Sequence, residues 1–104
     1  MRKYHEMALE KAYAAALEHA GKYGESWPCG FAWVQVKADG RSKVAKELKA
    51  LGFRKSWLNG YLYLWNPSGY ASQSMDILET GAMAYAEVMR EKTGLDFSAG
   101  SRLD

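Results

Sequence analysis

Apolar positions at the start of the chain follow first a helical and then a strand-like period. Between about residues 2 and 21 they recur every three or four residues, which predicts an amphipathic helix with an inner stripe of Leu9, Ala12, Tyr13, Ala16, Leu17 and Ala20. Gly21 and Gly24 mark its expected end. Residues 29–37, CGFAWVQVK, are rich in valine and aromatic side chains and therefore predict a strand.

The remaining patterns predict two more helices and three more strands. Ser42 and Ser74 are suited to cap helix N-termini, and Gly52 predicts the end of the second helix. The three strands are expected at residues 53–58, 61–65 and 95–99. The first two of these are joined by Asn59-Gly60, the dipeptide typical of a two-residue hairpin turn.

This order of elements predicts the fold class. After the first helix it reads strand, helix, strand, strand, helix, strand, which is the order of a ferredoxin-like βαββαβ antiparallel sheet. We therefore predict an α+β protein, ferredoxin-like with an additional N-terminal helix. A chain of 104 residues suits a single domain, in which residues 1–24 pack as a helix on a βαββαβ core of residues 28–104.

The predicted hairpin register decides which face each strand residue takes. A two-residue turn pairs Leu58 with Tyr61 and Arg54 with Trp65, and it brings Arg54 within range of a cation–π contact. The face toward the helices then holds Ala32, Val34, Val36, Phe53, Trp57, Leu62 and Leu64. The opposite face is the candidate binding face, and it holds Phe31, Trp33, Arg54, Tyr61, Tyr63 and Trp65.

An apolar face of this kind needs a cover, and three covers are open. The N-terminal helix is favoured, because its apolar stripe must be buried and an isolated helix is marginal in water. The second is a protein partner or another copy of the chain, which gives a homodimer. The third is single-stranded nucleic acid, whose bases stack on aromatic sheet residues. Against the third, Asn59 stands where RNA-recognition strands carry a basic residue, and the lysines of the second helix are expected on the opposite side.

Composition and charge narrow the class of protein. The net charge is only +2, although residues 35–66 carry seven basic and two acidic side chains. This is a local excess rather than the basic stripe of a dedicated duplex-DNA binder. No apolar run approaches the roughly 20 residues of a membrane span, and the first 20 residues carry acids, unlike a leader peptide. With a single cysteine, Cys29, the sequence predicts a cytoplasmic protein with no membrane partner.

No residue pattern points to catalysis. His5 and His19 lie fourteen positions apart on the first helix, about 21 Å at helical rise, so they are expected as separate surface side chains. Cys29 is expected to be a small buried apolar residue at a strand entry. We therefore predict no catalytic residues, no metal ligands and no cofactor, and we expect the protein to bind rather than to catalyse.

Several short segments, taken as a set, resemble a group of small proteins of tailed phages and prophages. They are CGFAWV at 29–34, LW at 64–65, QS at 73–74, ETGAMAYAEVM at 79–89 and SRLD at 101–104. The resemblance covers about residues 28–104 and implies a phage-type accessory protein in a bacterial host cytoplasm, with no role for any residue. The expected function is protein interaction or self-association, and the alternative is binding of single-stranded nucleic acid through the aromatic face.

Overall fold

The computed structural model describes residues 1–25, 28–39 and 41–103, which form three helices and four strands. In chain order these are α1 (Arg2–Tyr23), β1 (Gly30–Lys37), α2 (Lys43–Ala50), β2 (Arg54–Lys55), β3 (Tyr61–Trp65), α3 (Met75–Thr93) and β4 (Phe97–Leu103). The strands make one antiparallel sheet in the order β2-β3-β1-β4. The α+β class predicted from the sequence is confirmed. Within the described ranges, no helix has both the length and the apolar character needed to cross a membrane.

Strand β1 is central, and its neighbours come from distant parts of the chain. Trp33 lies opposite Trp65 of β3, and Phe31 lies opposite Arg102 of β4. The last strand, Phe97–Leu103, begins and ends later than the predicted residues 95–99. The hydroxyl of Ser101 donates to the carboxylate of Glu79 on α3, which fastens this end of β4 to the helix layer.

The hairpin between β2 and β3 differs from the predicted two-residue turn. Ser56 donates its backbone N–H to the carbonyl of Tyr61, which leaves four residues, 57–60, in the loop. A two-residue type I′ turn needs a positive φ at both central residues, and here Gly60 has one (86°) whereas Asn59 does not. The register moves by two residues, so Arg54 lies opposite Tyr63 and not opposite Trp65.

The position of Trp57 differs from the one predicted for it in the core. It was expected on the helix-facing side, but it lies in the hairpin loop, is 70% exposed, and its ring contacts Trp33 and Tyr63 on the other face. The cause is the longer loop, because β2 ends at Lys55 and the alternation of faces ends with it. Trp57 thereby joins the aromatic residues of the opposite face.

The helix-facing side of the sheet is the hydrophobic core. Side chains alternate between the two faces of the central strands as predicted, with Ala32, Val34, Val36 and Leu62 buried toward the helices. Tyr85 of α3 packs its ring near Phe53 and Phe97, with ring centroids 6.2 and 6.4 Å away. Each large apolar side chain buried here contributes about 1.5–3 kcal/mol to folding.

Helix α1 belongs to this same side and does not cover the aromatic face. Its buried residues are His5, Ala8, Ala12 and Ala16, and Ala8 and Ala12 join the core formed by the inner sheet residues and α3. The favoured cover is therefore wrong. The predicted stripe is rotated, since Tyr13 and Leu17 are exposed. Alanines allow α1 to approach α3 so closely that a Cβ on Gly81 would lie 3.2 Å from the Ala12 carbonyl oxygen.

One buried polar contact joins α1 to α3. His5 was expected at the surface, but it is buried, and its Nδ1 lies 2.7 Å from the hydroxyl of Tyr85. Burial raises the pKa of the Tyr85 phenol, which keeps the hydroxyl protonated. Burial, together with the nearby charge of Arg2, lowers the pKa of His5 from its ordinary value of 6.5. The imidazole is therefore held in its neutral form inside the fold.

This contact predicts a loss of stability in mild acid. Below pH 6.5 the unfolded chain protonates His5 more readily than the folded protein does, so the free energy of unfolding should fall as the pH drops. Urea unfolding between neutral pH and mild acid measures the change. His5→Gln should remove this part of the pH dependence, whereas His19→Gln, which leaves His5 in place, should retain it. Equal pH dependence in wild type and His5→Gln would contradict the assignment.

Candidate functional site

The candidate site is the sheet surface that faces away from all three helices. We call it the aromatic face and define it by Phe31 and Trp33 of β1, Trp57 of the hairpin loop, and Tyr61, Tyr63 and Trp65 of β3. Five of these residues were predicted for this face from the alternation of the strands, and the structure places them together. Trp57 is the sixth, and no pattern in the sequence distinguished it from a core residue.

A continuous layer across two strands and the hairpin is formed by the rings of Phe31, Trp33, Trp57, Tyr63 and Trp65. Trp33 and Trp65 lie opposite each other with ring planes only 3° apart and centroids separated by 5.9 Å. Phe31 extends the layer at 5.4 Å from Trp65. At the hairpin, Trp57 meets Trp33 edge-on at 5.2 Å and Tyr63 at 5.9 Å. Aromatic pairs in such geometries contribute about 0.5–1.5 kcal/mol each beyond their buried area.

Trp33 is the fixed centre of this layer. Its side chain is only 8% exposed, because the ring lies directly over Gly100 of β4. A Cβ at Gly100 would lie 2.5 Å from Cε2 of the indole, so this position has no room for a larger residue. The indole Nε1–H also donates to Oε1 of Gln35 at 3.1 Å. These contacts hold the ring that supports its neighbours.

Trp57 and Trp65 are the parts of the layer that meet solvent. Trp57 is 70% exposed and Trp65 is 48% exposed, while Tyr61 and Tyr63 are half-buried. Large exposed aromatic side chains clustered on a flat sheet surface are unusual for a face without a partner. The exposed rings of Trp57 and Trp65 are therefore available for contact with a ligand.

Three cations border the rings, each set by strand register. Lys37 lies opposite Tyr61, Arg54 opposite Tyr63 and Arg102 opposite Phe31, with the Arg102 guanidinium carbon 6.0 Å from the Phe31 ring centre. At the outward positions of the four described strands there is no carboxylate. The aromatic face is thus positively charged. Of the three cations, only Arg54 was predicted. Lys37 and Arg102 were missed because neither the pairing of β1 with β3 nor the length of β4 was apparent from the sequence.

Groups that support catalysis do not gather on this face. Cys29 lies half-buried at the entry to β1, where its backbone bridges to Ser74. Across residues 1–25, 28–39 and 41–103, no group of three or more His, Cys, Asp or Glu side chains is arranged to hold a metal ion. What the face offers chemically is ring surface and positive charge.

Comparison of the chain with protein-family models, with curated proteins and with solved structures finds no match, so the interpretation of this face rests on its own geometry.

Proposed function

We propose that the aromatic face binds single-stranded nucleic acid, with unpaired bases stacked on Trp57 and Trp65 and phosphates held by the bordering cations. The observation that carries this proposal is the uncovered layer of rings between Lys37, Arg54 and Arg102. Stacking of a base on an aromatic side chain contributes about 1–3 kcal/mol, and it is available to every base. Single strands present both the free bases and the phosphates that this surface complements.

The rings and the cations have separate roles in this proposal. Trp57 and Trp65 supply exposed ring area, and Trp33 holds them in place from below. Each cation that neutralises a phosphate releases bound counterions, so binding should weaken as salt rises. Duplexes hide their base faces inside the stack and should bind less tightly than single strands of equal length.

The positive charge of the aromatic face favours nucleic acid over self-association through the same face. Two copies meeting there would bring two sets of the cations Lys37, Arg54 and Arg102 into one interface, with no carboxylate at the outward positions of the described strands to pair with them. Like charges in an interface are destabilising. A polyanion gains from the same arrangement, which favours nucleic acid over a homodimer or an uncharged protein partner.

The proposal includes a fold type and a kind of protein, which are supported by the order of the strands and by the sequence resemblance. The order β2-β3-β1-β4, with antiparallel neighbours and both α2 and α3 on one side, supports a ferredoxin-like core to which α1 is added. The resemblance to small phage proteins supports an accessory, non-catalytic binding protein of the host cytoplasm. Both remain parts of this proposal.

The test is a fluorescence titration of the protein with single-stranded DNA and RNA of mixed sequence. Three of the four tryptophans lie on the aromatic face, and the fourth, Trp27, is outside the described residues. We expect quenching at micromolar protein that weakens between low and moderate salt, with duplex DNA of equal length as the control. Unchanged fluorescence together with a dimer in sedimentation would instead assign the face to self-association.

A further inference from the structure

A cleft with several cations opens beside one end of the aromatic face. It has a volume of about 440 Å³ and lies between α2, the turn after β1 and the β2–β3 hairpin. We call it the basic cleft; its lining includes Asp39, Arg41, Lys49, Lys55, Gly60 and Tyr61. Its lining includes neither Trp57 nor Trp65, and none of the three cations that border the rings.

The charges of the basic cleft favour an anion. Arg41, Lys49 and Lys55 line it, and Asp39 is the one carboxylate among its described lining residues. That carboxylate accepts the backbone N–H of Arg41 at 3.0 Å, in the turn that leads into α2. The acid is thus engaged in local structure, and the cleft keeps a net positive charge at neutral pH.

Tyr61 connects the basic cleft to the aromatic face. By register it lies opposite Lys37 and on the same side of β3 as Tyr63 and Trp65, and it also lines the cleft. From Trp65 to Tyr61 the strand covers four residue steps, about 13 Å. A chain laid along β3 over the rings reaches the hairpin end of the sheet. It must turn around that end to enter the cleft, because Lys55 lies opposite the buried Leu62 on the helix-facing side.

We infer that a single strand bound on the aromatic face continues past Tyr61 and places its next phosphates in the basic cleft. This inference rests on the proposed function and makes the binding site longer than the ring layer. Short strands should use the rings and the bordering cations alone. Longer strands should add contacts to Arg41 and Lys55, and therefore show a steeper dependence on salt.

The experiment compares oligothymidylates of about four and about twelve nucleotides, lengths within the range of single-strand site sizes. The wild-type protein should bind the longer one more tightly. Arg41→Gln combined with Lys55→Gln removes two exposed cations of the cleft, and should reduce the slope of log K against log salt by about 1.4 for the longer strand. The affinity for the shorter strand should stay unchanged. Lys11→Gln combined with Lys92→Gln removes equal charge from α1 and α3 and is the matched control.

Three other results would contradict the inference, and each has a different meaning for the cleft and for the proposed function. If the cleft variant changes neither length, or both equally, the strand does not enter the cleft, although the proposed function stands. If wild type binds neither length, the proposed function fails, and the inference fails with it. If inorganic tripolyphosphate saturates the cleft while the two lengths bind alike, the cleft serves a free phosphate ligand and not a nucleic-acid backbone.

Discussion

Replacing Trp57 by alanine is expected to weaken binding of single-stranded DNA by about 5- to 150-fold, the loss of one base stack of about 1–3 kcal/mol. The side chain is 70% exposed and lies in the hairpin loop, so its removal takes ring surface from the ligand and little from the core. The ring pairs with Trp33 and Tyr63 are lost with the side chain, so the free energy of unfolding should fall by about 1–3 kcal/mol. Fluorescence anisotropy with a labelled oligonucleotide gives the affinity, and urea unfolding gives the stability.

Tyr23→Ala is the matched control for this variant. Tyr23 is also an exposed aromatic residue, but it lies at the end of α1, on the helical side of the molecule. Its replacement should leave the affinity as in wild type. If Trp57→Ala folds normally and binds as tightly as Tyr23→Ala, bases do not stack on the hairpin tryptophan, and the proposed function loses its main support.

Gly100→Ala is expected to damage stability and binding together. The added Cβ would lie 2.5–2.6 Å from three atoms of the Trp33 indole, which is itself enclosed by Trp57 and Trp65. Overpacking of this kind costs about 1–3 kcal/mol. Because Trp33 supports the exposed rings, its displacement should also weaken binding, whereas a purely structural defect would leave the affinity of the folded fraction intact. Urea unfolding and oligonucleotide titration of the same sample separate the two effects.

Gly21→Ala is the same substitution at an open position, and we expect it to raise the stability of the protein. A Cβ at Gly21 meets no atom within 4 Å, and the residue lies in the last turn of α1. Alanine is the better helix former, so this variant should gain up to about 1 kcal/mol of stability and bind as wild type does. A Gly100→Ala protein as stable as Gly21→Ala would contradict the tight seating of Trp33.

The sequence predicted the parts of the fold that depend on local signals. The predicted hairpin register is wrong by two residues, which leaves every side chain of β2 and β3 on its predicted face, so Phe31 and Trp33 were correctly placed away from the helices. The serine at position 42 correctly predicted the start of α2, where its hydroxyl accepts the N–H of Ala45. Such signals act within a few residues. They were sufficient for the α+β class and for five residues of the aromatic face.

The features that the sequence did not predict depend on tertiary contacts. Helix α1 is apolar on more than one side, so the pattern alone does not distinguish the stripe through Tyr13 and Leu17 from the alanines that pack on α3. The hairpin loop was misjudged because Asn59-Gly60 also fits a four-residue loop with one positive φ. Arg102 was missed because the polar segment after Ala99 forms a strand only when it pairs with β1.

The position of β1 between β3 and β4 has a consequence for folding. The aromatic face is built from segments more than thirty positions apart, since Trp33 lies opposite Trp65 and Phe31 opposite Arg102. Such non-local pairings form slowly, because long loops must close before any contact compensates the lost chain entropy. A fragment of residues 31–65 contains all six aromatic residues, but it lacks β4 and therefore Gly100, against which Trp33 packs. Acquisition of oligonucleotide affinity during refolding would therefore report the arrival of the native topology, and a bound strand would stabilise only the fully assembled sheet.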